Sequence, residues 1–180
     1  MLTPDMRAVL EVARLGFVAT VTPEGRPNVS PKGTIRAWDD THLFFLDIAS
    51  PGTRANLAHA PWMEVNVVDQ LSRRGYRFSG TATLYFPSSE IYEDALRRTY
   101  GDGQRIYPTT TVVLLTIEHA APLFSPAYWA GADEAALRVT WKGRRAELDR
   151  EFDAYLAVTG TVGPHGDLAP QDGSRSRGPS

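Results

Sequence analysis

The sequence predicts a mainly β fold with flanking helices, and three observations carry that reading. Residues 26–38 and 75–86 each alternate polar and apolar side chains with a period of two, as half-buried strands do. Short apolar or branched runs at 43–46 and 109–117 are bounded by turn residues. Pro23-Glu24-Gly25 separates two such segments and supplies the turn geometry of a hairpin.

The elements follow in order. Thr3-Pro4-Asp5 opens a helix whose stripe is Met6, Val9, Leu10 and Ala13, with Gly16 placed to end it. Strands are expected over 17–22 and 26–38, then over 43–46 after a turn at Asp39-Asp40. A helix from Pro51 should stop before Pro61, and Met63, Val65 and Val67 alternate with Glu64 and Asn66 in a further strand. In the strand over 75–86, Tyr76, Phe78, Ala82 and Leu84 oppose Arg77, Ser79, Thr81 and Thr83, and Gly80 marks a bulge or a close backbone approach. Pro87-Ser88-Ser89 starts a helix that Gly101-Asp102-Gly103 ends. The strand over 109–117 has a continuous apolar centre, which indicates burial on both faces. From Asp133 to about Val158 the pattern is helical, with Leu137, Trp141, Leu148, Phe152 and Leu156 as buried positions and Gly143 as a kink.

Composition bounds the rest. At 180 residues, 42% hydrophobic and 22% charged, the chain fits one domain over 1–159. Residues 160–180 form a Gly-, Pro- and Ser-rich tail that offers too little apolar area to offset backbone ordering. A net charge of −2 supplies no overall basic field, so nucleic acid is not an expected partner. With no cysteine there are no disulfides, thiolate nucleophiles or cysteine-held metals. No membrane span or leader is expected, and the default location is cytoplasmic.

The chemistry concentrates in residues 26–57. Ser30, Lys32, Thr34 and Arg36 share one strand face, while Val29, Gly33, Ile35 and Ala37 share the other and should pack. Ser50 is placed to cap the next helix with Pro51 in its first turn, and Thr53, Arg54 and Asn56 add donors to the free amides and the positive dipole end. Read alone, this is a well-capped helix with a surface arginine. With the preceding strand it becomes a cradle for a phosphorylated cofactor, in which Gly33 leaves room for a flat ring against the backbone.

The segments GFVATVTPEGRPNVSPKG, ASPGTRANL and SRRGYRFSG resemble the pyridoxamine 5′-phosphate oxidase-like flavin-binding split-barrel family, over about the first three-quarters of the chain. The resemblance is to the broad flavin-binding group more than to the biosynthetic oxidase. It implies a six-stranded antiparallel split β-barrel of Greek-key type, a homodimer, and flavin mononucleotide (FMN) in clefts at the subunit boundary. By that likeness Ser30, Pro31, Lys32 and Gly33 would meet the isoalloxazine, and Ser50, Thr53, Arg54 and Asn56 the phosphate end. Arg74 would reach a cofactor phosphate or substrate anion from the partner subunit or else sit in a solvated turn, and Trp129 would contact the cofactor or substrate from the partner subunit, walling the flavin pocket, or bury area at a dimer interface.

Other residues read more plainly. Arg73 suits a solvated turn, and Trp38, Trp62 and Trp141 suit core packing. The four histidines, His42, His59, His119 and His165, are scattered and present no metal-ligand spacing, and Glu90, Glu93 and Asp94 suit the acidic first turn of a helix. Nucleophile-elbow, Walker and Rossmann motifs are absent. The expectation is therefore an FMN-dependent oxidoreductase acting on a small molecule, in which no catalytic side chain is singled out. The alternatives are a non-catalytic flavin- or tetrapyrrole-binding module and a deazaflavin-dependent reductase.

Overall fold

The computed structural model describes residues 1–105 and 107–160. The tail expected from residue 160, including His165, lies from 161 onward outside the described residues. Among the described residues seven strands form one antiparallel sheet: β1 (Gly16–Val21), β2 (Pro27–Lys32), β3 (Arg36–Ala37), β4 (His42–Asp47), β5 (Trp62–Asp69), β6 (Arg74–Tyr85) and β7 (Thr111–Phe124). Their order is β2-β1-β5-β6-β7-β4-β3. The helices are α1 (Pro4–Ala13), α2 (Pro51–His59), α3 (Glu90–Tyr100) and α4 (Glu134–Thr159).

The strand expected over 26–38 is in fact two, β2 and β3, broken at Gly33, Thr34 and Ile35. This break closes the barrel. β2 and β3 are the two outer edges of the sheet, and six strand-to-strand spacings in a flat sheet would put them about 29 Å from each other. Lys32 and Arg36 are four residues apart, a span of at most about 14 Å. The sheet has to curl until its edges meet, which gives the split-barrel form. Thr34 pins the crossing to β4: its Oγ1 accepts from the Leu46 N–H at 3.0 Å.

The curl separates two cores. Val18, Ile35, Leu43, Phe45, Val65, Val67, Phe78, Val113 and Leu115 fill the interior with Val9 and Leu10 of α1. On the opposite face of β4 and β7, Phe44, Leu46, Val112 and Leu114 pack against Tyr92, Ala95 and Leu96 of α3. The apolar centre of 109–117 is thus buried on both faces, as its composition requires. At Gly80 the register of β6 against β7 shifts, and a side chain there would collide with the Thr116 carbonyl oxygen, so the bulge and the close approach are one feature.

Several expectations change. Arg14, in the left-handed region at φ 48°, ends α1, while Gly16 begins β1 and leaves room for Ile35, whose Cγ2 would lie 3.1 Å from a side chain there. The polar face of β2 points inward and Val29 outward: Val29 is 61% exposed and Lys32 is buried, because the inward face meets a hydrogen-bonding layer and not apolar core. Trp62 also faces outward. α4 runs through Gly143 as one helix, and only Leu137 among its expected core positions is fully buried; Leu148 and Phe152 are exposed, lining a cavity against the turn after β5 in place of a packed core. None of the helices formed by the described residues is long and apolar enough to cross a membrane.

Candidate functional site

The crossing between β2 and β3 makes one wall of a cleft of about 510 Å³. Ser30, Pro31, Lys32, Gly33 and Thr34 form that wall, Leu46, Ile48 and Ala49 follow from the end of β4, and Tyr100 and Tyr107 complete the lining. A side chain at Gly33 would meet nothing within 4 Å, so the backbone there faces open space.

Lys32 organises the wall. It is 6% exposed, and its ammonium donates to Ser30 Oγ at 2.6 Å and to Ser50 Oγ at 2.7 Å. Burial lowers its pKa below the usual lysine value, and the charge of Asp47 offsets part of that shift. An ammonium has three donors, so one remains for a ligand in the cleft.

Asp47, at the end of β4, is the group the sequence reading missed. Its side chain is 2% exposed. Its Oδ1 accepts from the Ser50 N–H at 3.1 Å and, in a short hydrogen bond, from the Ser50 hydroxyl. Ser50 thereby links the lysine to the carboxylate. Arg54 Nη1 lies 3.9 Å from Asp47 Oδ2 and donates to Thr110 Oγ1 at 2.9 Å, while Thr110 donates to the Asp47 carbonyl at 3.1 Å. The available signal was an acid closing an apolar strand three residues before Ser50.

This arrangement corrects the capping expectation. Ser50 occupies the cap position of α2 but makes no side-chain cap bond, because its hydroxyl is held by Lys32 and Asp47. In α1, α3 and α4 the cap side chains of Thr3, Ser89 and Asp133 each accept from the third helical amide. The start of α2 lacks that acceptor and keeps its donors and positive dipole end for another anion.

Thr53 and Asn56 are not at the cleft. Both are buried toward β1 and β2, where Asn56 Nδ2 donates to Thr20 Oγ1 at 2.9 Å and Thr53 Oγ1 lies 3.5 Å from Asn28 Oδ1. They fasten α2 to the barrel. Arg74 binds Asp5 of α1 and Glu134 of α4 within its own chain, the latter at 3.0 Å. Those carboxylates hold its guanidinium pKa above the usual arginine value despite burial, so its charge is already matched. Trp129, after a single 3-10 turn at Pro126–Tyr128, is 82% exposed and touches neither core. Arg73, expected in a solvated turn, lies instead over the ring of Trp141, 3.4 Å from its centroid.

The family model described as pyridoxamine 5′-phosphate oxidase matches residues 2–124. The chain belongs to this family. Among solved structures of similar proteins, HupZ of Group A Streptococcus has 30% identity and a TM-score of 0.61, covering 69% of this chain and 96% of that one. An oxidase-like relative from Lactobacillus delbrueckii, described as a putative pyridoxamine 5′-phosphate oxidase, has 24% identity and a TM-score of 0.57 over 67% of this chain and 93% of its own. An FMN-binding protein from Syntrophomonas wolfei has 17% identity and a TM-score of 0.51 over 66% and 88%. The last two show the shared fold. No curated protein matches the chain. The oxidase-family match ends with β7, so α4 follows the matched residues.

Proposed function

We propose that the protein is an FMN-dependent oxidoreductase that acts on a small molecule as a homodimer. The observation that carries the reading is the diversion of Ser50: Lys32 and Asp47 take its hydroxyl, leaving the start of α2 uncapped beside a cleft walled by Ser30–Thr34. The residues present fit the cofactor. A cleft of about 510 Å³ lies within the range of pockets that enclose cofactor-sized ligands, and its lining is mostly apolar with a few convergent donors.

In this reading the amides of α2 and the guanidinium of Arg54 hold the phosphate. Lys32 directs its third N–H at a ring oxygen or nitrogen, Gly33 admits the flat ring, and Tyr100 and Tyr107 help to keep water out. FMN, when bound, supplies hydride transfer; the chain supplies position and a buried positive charge near an electron-rich ring. Dimer formation is supported by the outward face of β2, β1 and β5, where Val29, Phe17, Val21 and Trp62 present apolar surface to solvent.

The test is the absorption spectrum of the protein purified without added cofactor, followed by titration with FMN. A flavin spectrum or tight binding of added FMN is expected, with Arg54→Ala weakening binding by about 1–3 kcal/mol. Colourless protein that fails to bind FMN sinks the reading, and preferential uptake of a deazaflavin or a tetrapyrrole replaces the cofactor. Anaerobic reduction by a nicotinamide donor, then exposure to oxygen and acceptors, separates an enzyme from a carrier: reduction without turnover identifies a binding module.

A further inference from the structure

A second cavity, of about 680 Å³, lies between α4 and the turn that joins β5 to β6. Trp141, Leu148 and Phe152 reach it from α4, since residues spaced by seven and eleven along a helix share a face, and Leu71 meets them from the turn. Two cations also line it, and only one is matched. Arg145 Nε donates to Asp149 Oδ1 at 2.8 Å. The Arg73 guanidinium has no hydrogen bond or ion pair with any described residue, and its Nε is buried without an acceptor. The carboxylate that lines the cavity, Asp149, is the one Arg145 takes, and Asp5, Glu134 and Asp69, which line a neighbouring hollow, are taken by Arg74 and Arg138.

The backbone holds Arg73 in place. Its φ is 56°, in the left-handed region that non-glycine residues avoid. Its N–H donates to the Asp69 carbonyl at 2.8 Å and its own carbonyl accepts from the Ser125 N–H at 2.9 Å, so the turn fixes this conformation from both sides. With one flat side of the guanidinium against Trp141 and its Nε buried, the in-plane N–H donors of the Nη groups are left for a planar acceptor.

We propose that this cavity binds an organic monocarboxylate with a flat apolar body, the carboxylate on Arg73 and the body against Leu71, Trp141, Leu148 and Phe152. An apolar wall beside one uncompensated cation has the complementary pattern of such an acid. The site depends on α4, beyond the residues matched by the family model, and stands apart from the β2–β3 cleft.

Calorimetric titration of the full-length protein with 2-naphthoate and with 2-naphthamide, each with and without saturating FMN, tests it. One naphthoate per chain is expected, indifferent to FMN, with the amide weaker by about fivefold or more. Arg73→Gln should bring the acid down to the level of the amide and leave the amide unchanged. Equal affinities in the unaltered protein, competition with FMN, an unaffected Arg73→Gln variant, or no binding because a second copy covers α4 would each overturn the proposal. If Arg73→Gln does not fold, the comparison of acid with amide still decides. If FMN does not bind, the FMN-free arm decides alone.

Discussion

Burying a lysine costs several kcal/mol unless its ammonium finds acceptors, and Lys32 finds two hydroxyls, with its nearest carboxylate one residue removed. That indirect pairing has a measurable result. A lysine whose pKa lies below its ordinary 10.5 loses its charge sooner as pH rises, and in the proposed function the charged form is the one that assists the flavin. FMN affinity, measured by flavin fluorescence, should therefore fall at a lower pH than an ordinary lysine would dictate. Lys32→Met should weaken binding by about 1–3 kcal/mol near neutrality and abolish that alkaline limb. Lys32 was legible in the sequence because a charged residue on an alternating strand stands out. Asp47 was not, because its significance comes from Thr110, 63 residues away, and from a serine that looked committed to a helix cap. Thr53 and Asn56 were legible as donors near a helix start, but their partners Thr20 and Asn28 were not, because the sheet beneath supplies them from far along the chain.

Among the elements, the last helix was placed in its bounds but not in its burial, whereas β6 was read in both and the strand expected over 109–117 runs on as β7 to Phe124. Alternation in β6 is enforced by one apolar and one polar layer, and Gly80 announced the only register shift in that ladder. Gly80→Ala should cost about 3 kcal/mol or more in chemical denaturation, since the added methyl meets backbone that cannot step aside. α4 was placed almost to the residue, yet its exposed Leu148 and Phe152 were expected in a core. Periodicity reports which residues share a side and is silent on whether anything lies opposite. The break within 26–38 was missed because alternation continues through Gly33 and Ile35 while the hydrogen-bonding partners change. α1 is clasped to β6 by Asp5, which accepts from the Tyr76 hydroxyl and pairs with Arg74. The Tyr76 hydrogen bond lowers the Asp5 pKa below 3.8; burial opposes it and Arg74 adds to it. A depressed carboxyl stabilises the fold above its unfolded value and loses that contribution as pH falls through the folded value. Melting temperature should thus drop below pH 3.8 with a component that Asp5→Asn lacks.

For the whole molecule, one apolar sheet face turned to solvent predicts association. Trp62→Glu should shift sedimentation from dimer to monomer while leaving the circular dichroism of the barrel intact, because the side chain leaves no core position empty. An unchanged dimer would move the interface elsewhere, with α4 the next face to test. The short span from β2 to β3 ties shape to occupancy. Gly33, Thr34 and Ile35 are both the seam at which the cylinder is sewn shut and, through Gly33 and Thr34, part of the wall a ligand would grip. By linkage a molecule that holds this seam favours the rolled sheet, and a sheet that begins to unroll sheds what it carries.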